Sequence, residues 1–160
     1  MAPIPSFSPK GRYINLPRER RGAPRKKKVG LFAGTPRPHN GVSNVVRALN
    51  IIDPNCGIGL LNIGGDRPRT FIPEILHHSN LVVIPQRDNF ISRAQVPTKV
   101  FEAMAMAKPV IAIAVSDLRE ILKGCRLIID PWDMKALAKS IQYVPENPDV
   151  DCIMGRNALD

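Results

Sequence analysis

The sequence predicts a doubly wound α/β domain built on a parallel sheet, and three observations lead there. Five short apolar runs recur along the 160 residues, at 29–33, 57–63, 80–84, 109–115 and 126–130. None of them alternates with polar residues, which is how strands covered on both faces read. Segments with apolar residues at helical spacing separate the runs, so strands and helices take turns along the chain.

The elements follow in order. VGLFA, residues 29–33, is the first strand and stops at Gly34. Residues 41–52 place Val42, Val45, Val46, Leu49 and Ile52 on one helical face. GIGLLNI, 57–63, is the second strand and ends at GGD; IPEILHHS, 72–79, reads as a short helix. The third strand, 80–84, leads into a polar loop. A helix over 97–107 then starts with Pro97 in its first position, where a missing N–H costs nothing. After the fourth strand, 116–124 forms a helix with Ser116 as N-cap and Gly124 as its stop. The fifth strand is followed by helices over 131–144 and 149–159.

Charge divides the chain into two expected regions, a basic proline-rich arm over 1–28 and a domain over 29–160. The arm holds nine basic residues and one acid, whereas the domain holds 14 basic and 13 acidic residues. A solvated leader or linker is one account of the arm. Contact with an anionic membrane is the other, each charge adding about 1 kcal/mol; nucleic acid is not an expected partner. No stretch approaches the ~18 apolar residues of a transmembrane helix. Cys56, Cys125 and Cys152 form no CxxC motif, which fits reduced thiols and a cytoplasmic location, peripheral to the inner membrane face if the arm binds lipid. Adjacent His77 and His78 point to different faces, so no metal site is expected.

In a doubly wound sheet, ligands lie at the carboxyl ends of the strands, and two stretches fall there. In AGTPRPHNGVSN, 33–44, Gly34 permits a sharp turn, Arg37 offers a charged fork, and Asn40-Gly41 opens a helix. A helix N-terminus with an adjacent arginine suits a phosphate. In PTKVFEAMA, 97–105, Lys99 and Glu102 share one helix side, as a surface ion pair or as a pair facing the crevice. A carboxylate facing the crevice can accept hydrogen bonds from vicinal hydroxyls, such as those of a ribose.

The stretch PTKVFEAMAMAKPVIAIAVSDLREIL, followed by GCRLIIDPWDMKALAKSI, resembles the nucleotide-sugar-binding half of GT-B glycosyltransferases, specifically retaining family 4. LFAGTPRPHNGV, NIGGD and NLVVIPQRD resemble further segments of that family in the same order. The resemblance implies a Rossmann-like domain, the C-terminal half of a GT-B fold, whose donor substrate is a nucleotide-diphosphate sugar and which needs no further cofactor. It gives Arg37 the catalytic role of stabilising the departing diphosphate. Gly34, Asn40, Gly41, Pro97 and Lys99 would line the donor, the amides around 95–98 would face its sugar and phosphates, and Glu102 would hold the ribose.

Three features depart from the family. Asn40 stands where a lysine is usual, Ala94 where a glutamate is common, and 66–71 is too short for the usual strand and helix, which implies a shortened βα unit. Asp88, Arg93 or Gln95 is a candidate replacement for the missing glutamate. The acceptor-binding half that normally precedes this one has only 28 residues in its place, so a partner chain or homo-oligomer is expected to supply it. The alternative is a non-catalytic remnant of the fold that serves as an interaction or regulatory module.

Overall fold

A computed structural model describes residues 29–32, 38–52, 58–61, 73, 76–77, 79–123, 126–147 and 149–150. The arm over 1–28, Gly34, Arg37, the three cysteines, Gly124 and most of the helices expected at 72–79 and 149–159 lie outside the described residues.

Five strands are present: β1 Val29–Phe32, β2 Ile58–Leu61, β3 Leu81–Ile84, β4 Val110–Ile113 and β5 Arg126–Ile129. All neighbouring pairs are parallel, in the order β2-β1-β3-β4-β5. The helices among the described residues are α1 Val42–Ile51, α2 Phe90–Arg93, α3 Thr98–Ala105, α4 Leu118–Ile121 and α5 Met134–Glu146.

Strand β3 shows why the apolar runs do not alternate. Leu81 and Val83 project to one face, where they pack with Val45 and Ala48 of α1 and Leu137, Ile141 and Val144 of α5. Val82 and Ile84 project to the other, against Leu76, Val100 and Ala103 of α3, and Leu118 and Leu122. Successive strand residues point to opposite faces, and both faces are covered, so every position has to be apolar. Burying each such side chain contributes about 1.5–3 kcal/mol.

This order reverses direction between β1 and β3: the chain moves outward to β2, then returns across β1 to β3. The crevice outside that point is where open α/β sheets bind ligands.

Several boundaries differ from the sequence reading for local reasons. Pro97 occupies the N-cap, with φ −66° and ψ 130°, and α3 begins one residue later at Thr98. Ser116 does not cap α4. Its φ is 57°, a left-handed backbone, while an N-cap residue needs an extended one. Asp117 takes the position without a side-chain cap bond, and the helix is a single turn. The loop after β3 contains α2, capped by the Asn89 side chain accepting from the Ser92 N–H at 2.9 Å. Helix α5 continues through Pro145, which falls in its last turn, and Asn147 Nδ2 donates to the Tyr143 carbonyl at 2.7 Å.

No helix among the described residues is long and apolar enough to cross a membrane. Nor do the described residues contain a group of three or more His, Cys, Asp or Glu able to hold a metal ion.

Candidate functional site

The segment entering α1 is fastened to the segment leaving β3. Residues Pro38–Asn40 form a single 3-10 turn, and Gly41 follows as the N-cap of α1 with φ 64°. A Cβ on Gly41 would stand 1.8 Å from the Pro85 carbonyl oxygen and 2.9 Å from its carbon. Two backbones therefore meet here at a distance only glycine allows, in a conformation only glycine adopts cheaply.

Hydrogen bonds complete the junction. The His39 carbonyl accepts from the Arg87 N–H at 3.1 Å and from the Ser92 hydroxyl at 3.3 Å. Arg87 Nη2 donates to Ser43 Oγ at 2.8 Å. The 38–43 segment and the loop after β3 are thus fastened together, at the reversal of strand order.

Helix α3 begins at the same carboxyl edge. Val100 and Ala103 face inward and are fully buried, and Phe101 faces solvent. Lys99 and Glu102 lie on the side between and are both half-buried. Burial pushes the Lys99 ammonium down to about 8, while the Glu102 carboxylate nearby pulls it back up. A lysine so placed changes charge within one or two pH units of neutrality, unlike an exposed one. The N–H groups of the first turn of α3 complete an edge suited to an anion bearing hydroxyls.

The sequence reading therefore brings Asn40, Gly41, Pro97, Lys99 and Glu102 to one edge of the sheet. Gly34 and Arg37 lie outside the described residues. Asp88 and Arg93 are committed to each other: Arg93 Nε and Nη2 reach the two carboxylate oxygens at 2.6 and 2.9 Å. That hydrogen-bonded pairing lowers the Asp88 pKa and raises that of Arg93. Gln95 is exposed.

Sequence reasoning missed the clamp made by Ser43, Arg87 and Ser92. The composition of the loop carried no signal for it, since its partners are 44 and 53 residues apart in sequence. It also missed Gln86, which is buried directly after β3.

The family model of the glycosyl transferases group 1 matches residues 59–147, more than half of the chain. The chain belongs to this family. Among solved structures, the group 1 glycosyltransferase chain is similar to sucrose-phosphate synthase (tll1590) from Thermosynechococcus elongatus. The identity is 24% and the TM-score 0.63, over 85% of this chain and 40% of that one. It is also similar to the C-terminal domain of LpcC, a group 1 glycosyl transferase from Francisella tularensis, at 14% identity and a TM-score of 0.64, over 82% of each chain. A third similar structure is Alr3699/HepE from Anabaena in complex with UDP-glucose, at 16% identity and a TM-score of 0.65, over 82% of this chain and 43% of that one.

These TM-scores establish the fold, that of one Rossmann-like half of a GT-B glycosyltransferase. The chain spans about two fifths of the length of the synthase. No curated protein sequence matches it.

Proposed function

We propose that this glycosyltransferase domain binds a nucleotide-diphosphate sugar at the edge formed by the Gly41 turn and the start of α3. The placement of Lys99 and Glu102 carries this reading: a lysine and a carboxylate, both half-buried, sit on the first turns of a helix at the reversal of strand order. Glu102 accepts from the ribose hydroxyls, and Lys99 with the α3 amides meets the phosphates. Arg37, in the turn after β1, stabilises the diphosphate as it leaves, the charge that a retaining transfer develops. The UDP-glucose in the Anabaena structure supports a sugar nucleotide as the ligand class.

An acceptor-binding half completes the transfer in this reading. The arm over 1–28 can add contact with an anionic membrane on the cytoplasmic side. No metal or further cofactor takes part.

Melting temperature in the presence of UDP, GDP, ADP and their sugar conjugates tests the proposal. A ligand at 100 times its dissociation constant adds about 2.7 kcal/mol, a clear rise. The rise should occur with one nucleotide and vanish in Arg37→Ala and Glu102→Ala. A cooperatively folded chain that responds to none of them is instead a non-catalytic interaction or regulatory module, the reading that Asn40 and Ala94 favour.

A further inference from the structure

Helices α1 and α5 pack side by side on one face of the sheet. Their inner sides are apolar and buried, and their outer sides set apolar groups among cations. On α5, Lys135, Lys139 and Tyr143 follow at intervals of four and form one exposed stripe. On α1, Val46, Arg47, Asn50 and Ile51 form another. Val46, Ile51 and Tyr143 are 41%, 55% and 48% exposed, so each leaves a substantial apolar surface in water. No ion pair among the described residues engages Arg47, Lys135 or Lys139.

The opposite face is different. Helices α3 and α4 carry two cations, Lys99 and Arg119, and two acids, Glu102 and Glu120. Arg119 is held by Asp130, and the large apolar side chain exposed there is Phe101. Helices α1 and α5 carry three cations against one acid, Glu146, which accepts from Gln142 near the end of α5. Connectivity brings the arm to the same region. Helix α1 returns from the carboxyl end of β1 toward the amino end of β2, which leaves Ile51 at the amino edge of the sheet. Val29 begins β1 at that edge, and Arg25, Lys26, Lys27 and Lys28 immediately precede it in the sequence.

We propose that the outer face of α1 and α5 is a docking surface for an anionic lipid bilayer, continuous with the basic arm. Cations alone would suit any polyanion. Apolar and aromatic side chains set among them select a bilayer, because a nucleic acid backbone offers them no apolar layer. Val46, Ile51 and Tyr143 enter the boundary between headgroups and acyl chains, and the tyrosine hydroxyl stays at the wet side. The long stems of Arg47, Lys135 and Lys139 lie along that boundary while their charged ends meet the lipid phosphates. Helix α3, with Lys99 and Glu102, packs on the opposite face and stays away from the bilayer.

This deepens the membrane contact proposed above for the arm and is independent of the donor site. The full chain is sedimented with vesicles of phosphatidylcholine, alone or mixed with phosphatidylserine. The parent should bind the mixed vesicles, ignore the neutral ones, and be released as salt rises. Lys135→Gln combined with Lys139→Gln should weaken binding by about tenfold or more. Ile51→Ser combined with Tyr143→Ser should also weaken it, by a factor that salt does not reduce. All four side chains are exposed, so both double variants should melt as the parent does. Equal binding by the parent and both double variants would leave the contact to the arm alone and overturn the docking face. Failure of the parent to bind either vesicle would remove the arm's contact as well. Tighter binding to duplex DNA or RNA than to the mixed vesicles would assign the cations to nucleic acid and contradict a lipid face. A nucleotide-induced rise in melting temperature is a separate readout, so the donor reading stands or falls without this one.

Discussion

The two edges of the sheet are built by different rules, and helix α3 runs from one to the other. At the carboxyl edge, the Gly41 turn has a left-handed backbone pressed against Pro85, and α3 starts there with a half-buried lysine and glutamate. At the amino edge, α3 ends on another left-handed residue, Ala107, with φ 50°. The bonds from Ala107 N–H to the Met104 carbonyl and from Lys108 N–H to the Ala103 carbonyl close the helix there at 2.9 and 3.0 Å. Glycine is the usual residue for such an ending, yet alanine occupies it. One edge demands a specific residue, and the other makes do with a tolerable one. The first edge is expensive in stability, while the second only has to stop a helix.

Substitutions can break that contrast, and Gly41→Ala should have the largest effect. The new Cβ would overlap the Pro85 carbonyl, and the left-handed backbone adds its own strain. Loss of about 3–5 kcal/mol in urea unfolding is expected. A loss well under 1 kcal/mol would mean that the two loops are not fastened together.

Lys99→Met should act in the opposite direction on stability. Removing a desolvated ammonium should stabilise the chain by about 1–3 kcal/mol at neutral pH, while nucleotide binding is weakened. The pH dependence follows from the folded value of about 8 against the ordinary 10.5. Below 8 the lysine is charged in both states, and the full desolvation penalty is present. Between 8 and 10.5 the unfolded chain holds the extra proton, so stability rises with pH across this window. The rise should be absent in Lys99→Met.

At the other end of the helix, Ala107→Gly should gain about 1 kcal/mol, read as a shift in the denaturation midpoint. A destabilised variant would contradict the simple account of that ending. Asp88→Ala should change stability least, because the Arg93 ion pair is exposed. A marked loss would show that the pair holds α2 in place.

The five strands were legible because burial on both faces leaves a continuous apolar signal that needs no partner to be known. The start of α3 was equally plain, with Pro97 marking it and Lys99 and Glu102 at i and i+3. Less visible was α2, although Asn89 is a normal N-cap residue; four residues are too few to show a period. Ser116 misled because residue type suggests a cap while the backbone angle decides it. Contacts such as Gly41 with Pro85 depend on strands separated by the full β2 excursion, and no local pattern encodes them. Gln86 carries no sequence signal either, since only the packing of α1, β4 and the turn after β5 around it makes its amide notable.

Calorimetric titration of the full chain with the best-binding nucleotide, near pH 8 and in buffers of different ionisation heat, tests the central claim most directly. An anion bound beside Lys99 favours its charged form, so binding there should take up protons, and affinity should fall above pH 8 by up to about tenfold per unit. Glu102→Ala should weaken binding, and Lys99→Met should abolish the proton uptake. Binding without proton uptake, or binding indifferent to both substitutions, would place the nucleotide elsewhere and contradict the account.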